Sequence, residues 1–476
     1  MGISMFDLII LVSYLVIIGL IGVFCMKKVT SFSDYAVAGR NITMALIFAT
    51  TAATCIGGGA TTGRVSFAYE SGIVIAFIGI AAVFNHVISG WFIAPKIRKM
   101  ENVYTAGDIM GFYYGKSSRF VTGIITFLFC AAMFGSQILA MGNIISVMTG
   151  LPLIPVIIVA SIFTIIYTWA GGMYAVIYTD VIQFIILTFG ITLSSVMCVN
   201  NVGGLDALFT SLPETSFKIV GAVPTSTFVT LAVSYMFGEF LAPYFINRYA
   251  SAKDVKSAKY GPLYFGIFYF FFEVVVCMLG LVGAVTLPGI EPDAVMSTVI
   301  KDTLPVGIIG LVYAALISSI MSSGDSILNT AAVIFSRDIY KKFINNKATD
   351  RQMLMLSKVG TIVIGVVGVF VAVNATGVFD AMMKLYGYWA PSLVPPLAVA
   401  IIYGGALERK ISPYAGLGGI SAGLITKIIW DNLQVPYGIP SIIVGITCNL
   451  FVMFIIHNVM RNKEGIGMFR PEELTE

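Results

Sequence analysis

The chain alternates long apolar runs with short polar connections. Each run is about as long as the 20 residues that a helix needs to cross a bilayer. Runs such as 190–200 and 362–373 lack the apolar–polar alternation of a membrane β-barrel. The pattern predicts an all-α polytopic membrane protein with about thirteen transmembrane helices, at 5–26, 41–69, 73–95, 119–149, 152–171, 175–200, 227–247, 260–287, 306–336, 356–375, 381–404, 413–431 and 437–460.

The basic residues predict the orientation of these helices. If the N-terminus lies outside, most of the 28 lysines and arginines fall in connections on the inner side, including 409–410 and 461–470. Cytoplasmic loops carry such an excess. The first apolar run has no basic stretch before it and is followed by Lys27 and Lys28, which is typical of an uncleaved spanning helix. We therefore expect an integral protein of the cell (inner) membrane, with the N-terminus outside and the C-terminus in the cytoplasm.

Composition excludes several classes of function. Apolar residues make up 58% of the 476 residues and charged residues 11%, against about 25% charged in soluble domains. The six cysteines form no CxxC pair and the two histidines are far apart, which argues against a disulfide framework or a zinc centre. No nucleotide-binding loop is present. We expect a protein that is not an enzyme, that needs no nucleic acid or obligate protein partner, and that draws energy from an ion gradient.

Two predicted spans contain helix-breaking residues at mid-membrane. The second contains Gly57, Gly58 and Gly59; the seventh contains Glu239 shortly before Pro243. Unwound backbone is tolerated in a membrane only where protein or a water-filled cavity covers it, although small residues also permit a close helix crossing. Interrupted helices in corresponding positions indicate a transporter site at the midplane. The two spans are five helices apart, as in a five-plus-five inverted repeat.

The ninth span carries a stripe of oxygen ligands. Ser319, Ser322, Ser323 and Ser326 lie on one helix face, and Asp325 lies one turn beyond Ser322. Hydroxyls alone can join helices, but a carboxylate inside a membrane is costly and usually functional. Together with Asp180 of the sixth span, the stripe forms an all-oxygen set suited to a hard cation. Sodium is the favoured ion, and a proton relay through Asp180 or Asp325 is the alternative.

With these residues, the chain resembles the sodium:solute symporter family, which includes sodium/glucose cotransporters, proline and pantothenate permeases and sialic-acid transporters. The resemblance covers nearly the whole chain and rests on several motifs in order. These motifs are 33–40 (SDYAVAGR), 171–183 (GGMYAVIYTDVIQ), 247–253 (NRYASAK), 320–326 (IMSSGDS) and 337–341 (RDIYK).

The resemblance implies a leucine-transporter-like (LeuT-like) fold with discontinuous second and seventh spans. The implied division is a peripheral helix and inner loop at 1–40, five-helix repeats at 41–226 and 227–410, and two peripheral helices with a cytoplasmic tail at 411–476. It also implies one or two sodium ions. The first would be held by the carbonyls of Ala53, Ile56 and Ser319 and the hydroxyls of Ser322 and Ser323, and a second by Asp180, Ser323, Asp325 and Ser326.

The solute is less clearly indicated. The amide and lysine of sugar-transporting members are not matched, which argues against a glucose-like sugar. Arg64 suits a solute carboxylate, or pairs with Glu239 or Glu70, while Glu239 suits a cationic or zwitterionic solute. We expect sodium-coupled symport of an organic anion or amino acid by alternating access; the alternatives are proton coupling, a sugar or cationic solute, and passive facilitation. The candidate solute residues are Cys55, Gly57, Ala60, Thr61, Arg64, Glu239, Ala242, Tyr269, Met383 and Tyr386.

Overall fold

A computed structural model describes residues 4–219, 223–375, 377–403 and 411–460 of the chain. Helices dominate these ranges, as the apolar runs predict. In chain order the α-helices are α1 (Met5–Met26), α2 (Phe32–Val37), α3 (Met44–Cys55), α4 (Arg64–Ser71), α5 (Val74–Ile88), α6 (Ala94–Lys99), α7 (Ala106–Thr149), α8 (Leu153–Asn201), α9 (Gly204–Ser211), α10 (Thr225–Gly238), α11 (Pro243–Ser251), α12 (Val255–Thr286), α13 (Val295–Thr303), α14 (Ile308–Ile334), α15 (Asp350–Asn374), α16 (Val378–Tyr403), α17 (Pro413–Asn432) and α18 (Ser441–Met460).

The described residues contain ten helices long and apolar enough to cross a membrane, or eleven if α3 and α4 form one bent span. The 49 residues of α8 include a break at Gly172, where φ is 53°. A straight helix of that length would measure about 73 Å, more than twice the hydrocarbon thickness of about 30 Å. The predicted spans 152–171 and 175–200 lie on either side of this break. The count of thirteen spans and the repeat division remain predictions.

The second predicted span is broken at its glycines. Helix α3 ends at Cys55, a π-helical turn covers Gly59–Gly63, and the two parts of the span are bent by 62°. A Cβ at Gly57 would lie 2.6 Å from Gln137 Oε1 and would also collide with Ser323 Oγ. The Gly58 N–H donates to Gln137 Oε1 at 2.8 Å. The glycines therefore serve both roles considered from the sequence, a break and a close approach of helices.

The seventh predicted span is also discontinuous. Helix α10 ends at Gly238 and α11 begins at Pro243, which occupies the first turn, where its missing N–H leaves no helical bond unmade. Between them, Leu241 adopts a left-handed conformation with φ of 59°. Glu239 therefore lies at the end of a helix and not within one.

Helix α14 forms the centre of the bundle. Every residue from 312 to 334 is buried, and the helix packs against α7, α8 and α3. Apolar side chains of α1 and α18, in contrast, are exposed on the outside of the bundle, as expected of peripheral helices facing lipid. The basic segments 409–410 and 461–470 and the rest of the predicted cytoplasmic tail lie outside the described residues, so the orientation also remains a prediction.

Candidate sodium and solute sites

The broken end of α3 meets the serine stripe of α14. Ser322 Oγ donates to the Ala53 carbonyl at 2.7 Å and to the Ser319 carbonyl at 2.9 Å. Ser319 Oγ donates to the Ile56 carbonyl at 2.7 Å, and Ser323 Oγ lies 3.3 Å from the Ser319 carbonyl. The structure thus brings all five predicted sodium-binding residues together.

The helix break explains why these carbonyls can accept from serines. In a continuous helix, the Ala53 carbonyl would accept the N–H of Gly57. Here that N–H donates to the Cys55 carbonyl instead. The residues are completely or almost completely buried. Carbonyl and hydroxyl oxygens are the ligands that hard cations prefer, and a hydroxyl can rotate its proton away and offer a lone pair. The donor set therefore fits a sodium ion as transported cargo.

Two of the four residues predicted for a second cation contact an arginine. Arg248 Nη2 lies 3.3 Å from Asp180 Oδ2 and donates to Ser326 Oγ at 2.5 Å. Ser323 Oγ donates to the Thr54 carbonyl at 2.7 Å and so belongs with the first set of oxygens. The guanidinium therefore supplies a positive charge where a second sodium ion was predicted.

Arg248 comes from α11 and joins several other helices. It donates through Nε to Thr50 Oγ1 at 3.1 Å and through Nη2 to Thr54 Oγ1, both on α3. Its partners Asp180 and Ser326 lie on α8 and α14. Asp325 accepts from the hydroxyl of Tyr167 and from Ser326 Oγ at 3.2 Å.

The predicted solute residues converge where the two helix breaks meet. Cys55 Sγ donates to Glu239 Oε2 at 3.3 Å, and Tyr386 Oη donates to Glu239 Oε1 at 2.7 Å. His86 of α5 places Nε2 3.7 Å from Glu239 Oε2. The imidazole is surrounded edge-on by the rings of Phe245, Phe265 and Tyr269.

Arg64 pairs with Glu273 of α12, and not with Glu239 or Glu70, the two partners considered from the sequence. Glu70 is exposed. The Arg64 guanidinium carbon lies 4.4 Å from the ring centroid of Tyr235 and 5.3 Å from that of Tyr269. A buried guanidinium needs such compensation. Its charge is therefore already neutralised by the protein.

The other predicted solute residues have mainly structural contacts. Thr61 Oγ1 donates to the Gly57 carbonyl at 2.8 Å, and the Ala242 carbonyl accepts from Phe245 N in the first turn of α11. Ala60 is buried in the π-helical turn. Met382, and not the half-buried Met383, lies against Gly59 of the break.

Sequence reasoning missed the roles of Arg248, Glu273 and His86. A signal existed for Glu273, which lies one helical turn after Tyr269 on the buried face of α12. His86 similarly continues a buried stripe of α5 through Ile78 and Ala82. Arg248 is part of a motif quoted for the family resemblance, but its partners come from three other helices and have no local signature.

Comparisons with known proteins agree with this architecture. The chain is 24% identical over 497 residues to a sodium/glucose cotransporter of Vibrio parahaemolyticus, covering 96% of this chain and 90% of the relative. It is 22% identical over 469 residues to the osmoregulated proline transporter OpuE of Bacillus subtilis, covering 94% of each. A Na+-coupled sialic acid symporter in a substrate-bound outward-open state has the same fold, with a TM-score of 0.82, 20% identity and coverage of 96% of this chain and 98% of that one.

The family assignment itself comes from a match over most of the chain. The sodium:solute symporter family matches residues 35–408, a range that contains the broken second span, the serine stripe and the Arg248 cluster. Sodium is accordingly the coupling ion, and the relatives are transporters rather than enzymes. The chain is therefore a member of the sodium:solute symporter family, an integral membrane protein that couples sodium to the transport of a solute.

Proposed function

We propose that this protein is a symporter of the cell membrane that moves one sodium ion with a small solute bearing a protonated amine, such as an amino acid. Ala53, Ile56, Ser319, Ser322 and Ser323 hold the ion. The N-terminus lies outside and the C-terminus in the cytoplasm. Because the sodium gradient is directed inward, coupling to it drives uptake of the solute by alternating access.

The observation that carries the solute class is the charge of Glu239. Among the described residues, Arg64 pairs with Glu273 and Arg248 with Asp180, while the salt-bridge partner of Glu239 is His86, which is charged only when protonated. A buried carboxylate without a permanent cation favours a cationic partner. The pairing of Arg64 removes the main reason to expect a plain organic anion. The relatives' names cover a sugar, an amino acid and a sugar acid. The solute class is therefore inferred from the side chains of this chain and not from the relatives.

The proposal of a single ion rests on Arg248. Its guanidinium contacts Asp180 and Ser326, two of the four residues predicted for a second cation. A sodium ion there would lie beside a buried like charge, which is unfavourable in a low dielectric. A sodium-to-solute ratio of two in uptake measurements would contradict this proposal.

The coupling is tested by uptake into proteoliposomes with an inward sodium gradient, a potassium gradient or a proton gradient. We expect uptake with sodium alone. Equal uptake with potassium would indicate a passive facilitator, and uptake driven by protons without sodium would overturn the ion assignment.

The solute class is tested by a thermal-shift screen of amino acids, quaternary amines, carboxylates and sugars in sodium buffer, because a bound ligand raises the apparent stability. Amine-bearing solutes should raise the melting temperature. Glu239→Gln should weaken binding of the best amine about 10- to 150-fold, the range for a lost hydrogen bond to a charged group of about 1.5–3 kcal/mol. Glu214→Gln, at an exposed carboxylate, is the matched control. Hits confined to carboxylates or sugars would contradict the proposal.

A further inference from the structure

Three side chains of different chemistry converge beside the break of α3. Cys55 Sγ lies 3.5 Å from His86 Nε2 and 3.3 Å from Glu239 Oε2, and these two atoms are 3.7 Å apart. All three residues are buried. They come from α3, α5 and the junction of α10 and α11, so only the folded bundle brings them together.

We propose that Cys55, His86 and Glu239 bind a thiophilic divalent cation of the zinc class. The ion would occupy the place proposed above for the solute amine and would compete with it. Binding itself does not depend on the proposed function; only the competition does.

The spacing of the three atoms fits tetrahedral coordination. Zinc bonds of about 2.3 Å to sulfur, 2.0–2.1 Å to nitrogen and 2.0–2.2 Å to oxygen place two ligand atoms about 3.4–3.6 Å apart at the tetrahedral angle. The observed separations are 3.3, 3.5 and 3.7 Å. An ion can therefore sit among the three atoms with small movements of the side chains.

The chemistry of the set differs from that of the sodium site. Thiolate, imidazole and carboxylate are ligands of zinc and other borderline divalent ions, whereas the serine and carbonyl oxygens suit a hard cation. When the metal binds, the Cys55 thiol releases its proton to water. A thiolate and a carboxylate then balance the two positive charges of the ion, so the metal complex is electrically neutral, whereas the empty site carries the single negative charge of Glu239.

A neighbouring hydroxyl already orients one of the ligands. Tyr386 Oη donates to Glu239 Oε1 at 2.7 Å and leaves Oε2 directed at Cys55. His86 Nδ1 is buried without a hydrogen-bond partner among the described residues. No acceptor or donor at Nδ1 therefore fixes the tautomer, and the imidazole can carry its proton on Nδ1 and offer Nε2 to a metal. Hydrogen bonds such as that from Tyr386 to Glu239 orient the side chains that bind a metal. Three protein ligands leave the fourth position to water or to a group of the solute.

The test is a titration of the purified protein with Co²⁺ without any solute, because tetrahedral cobalt–thiolate complexes absorb in the visible and near-ultraviolet. We expect about one equivalent to develop a thiolate charge-transfer band that Zn²⁺ abolishes. Cys55→Ser should abolish the band, and His86→Gln should weaken cobalt binding at least tenfold. Cys198→Ser, at a buried cysteine of α8 outside the cluster, should leave the titration unchanged.

The absence of a band in the wild-type protein would overturn the inference, as would a band that persists in Cys55→Ser. Size-exclusion profiles and the sodium-dependent rise in melting temperature show whether each variant is folded. If Cys55→Ser is not folded, the cobalt titrations of His86→Gln and of the wild-type protein decide whether the metal site exists. In uptake assays, Zn²⁺ should raise the solute concentration needed for half-maximal rate. Sodium-driven uptake without a cobalt band would refute the metal site alone, and a cobalt band without sodium-driven uptake would refute the proposed function alone.

Discussion

Replacing Ser322 with alanine removes the hydroxyl that links the broken end of α3 to the serine stripe of α14. Its oxygen contacts the Ala53 carbonyl at 2.7 Å and the Ser319 carbonyl at 2.9 Å. Loss of one contact to a charged partner costs about 1.5–3 kcal/mol. A value of about 2 kcal/mol corresponds to an approximately 30-fold weaker sodium affinity.

This loss can be measured as stability. Sodium at about 100 times its dissociation constant stabilises the wild-type protein by about 2.7 kcal/mol. At the same concentration, an affinity about 30-fold weaker leaves about 0.9 kcal/mol. The assay is the rise in melting temperature when sodium replaces potassium at constant ionic strength, so that the direct effect of the lost hydrogen bonds cancels.

Ser318→Ala is the matched control for this measurement. Ser318 is buried on the same helix, but its hydroxyl contacts the Gln183 carbonyl of α8 at 3.4 Å. We expect it to keep the wild-type sodium response. The reasoning is refuted if folded Ser322→Ala responds to sodium as the wild-type protein does.

Three further substitutions test the contacts around the two sites. Gly57→Ala places a methyl group against Ser323 Oγ and should abolish the sodium-dependent rise in melting temperature; an unchanged rise would contradict the close approach. Arg64→Ala leaves Glu273 as an unpaired buried charge and should lower the free energy of unfolding by about 3–5 kcal/mol. The double variant Arg64→Met with Glu273→Leu should recover most of that loss. Equal losses for the two variants in denaturation experiments would argue against the Arg64–Glu273 ion pair. Arg248→Lys loses several simultaneous hydrogen bonds and should lower the free energy of unfolding by about 1–3 kcal/mol, yet retain the sodium-dependent rise; loss of that rise would place Arg248 in the ion site.

The sodium site was the most predictable part of the molecule because its signals are local. Ser319, Ser322 and Ser323 share a face through helix periodicity alone, and the glycines after Ile56 mark the break within a few residues. The family resemblance then supplied the pairing of the two segments. The structure brings the five residues together, while their role as ligands still awaits the measurement above.

The pairing of buried charges could not be predicted in the same way. Arg64 has Glu239, Glu70 and Glu273 as candidate partners, and sequence distance does not indicate which of them faces it. The selection depends on the rotation of α12 about its axis, which results from packing along the whole helix. The same argument applies to Cys55 and His86. The sequence argued against a zinc centre because the cysteines form no CxxC pair and the two histidines are far apart.

The short helix α11 connects the solute pocket to the far side of the ion site. It begins just after Glu239 and carries Arg248 near its other end. Its nine residues, all of them buried, form a rod of about 13 Å. If Glu239 moves toward an incoming amine and pulls α11 with it, the guanidinium that holds α3, α8 and α14 together moves as well. Binding of the solute at one end of α11 would therefore weaken the contacts that Arg248 makes with α3, α8 and α14 at the other end.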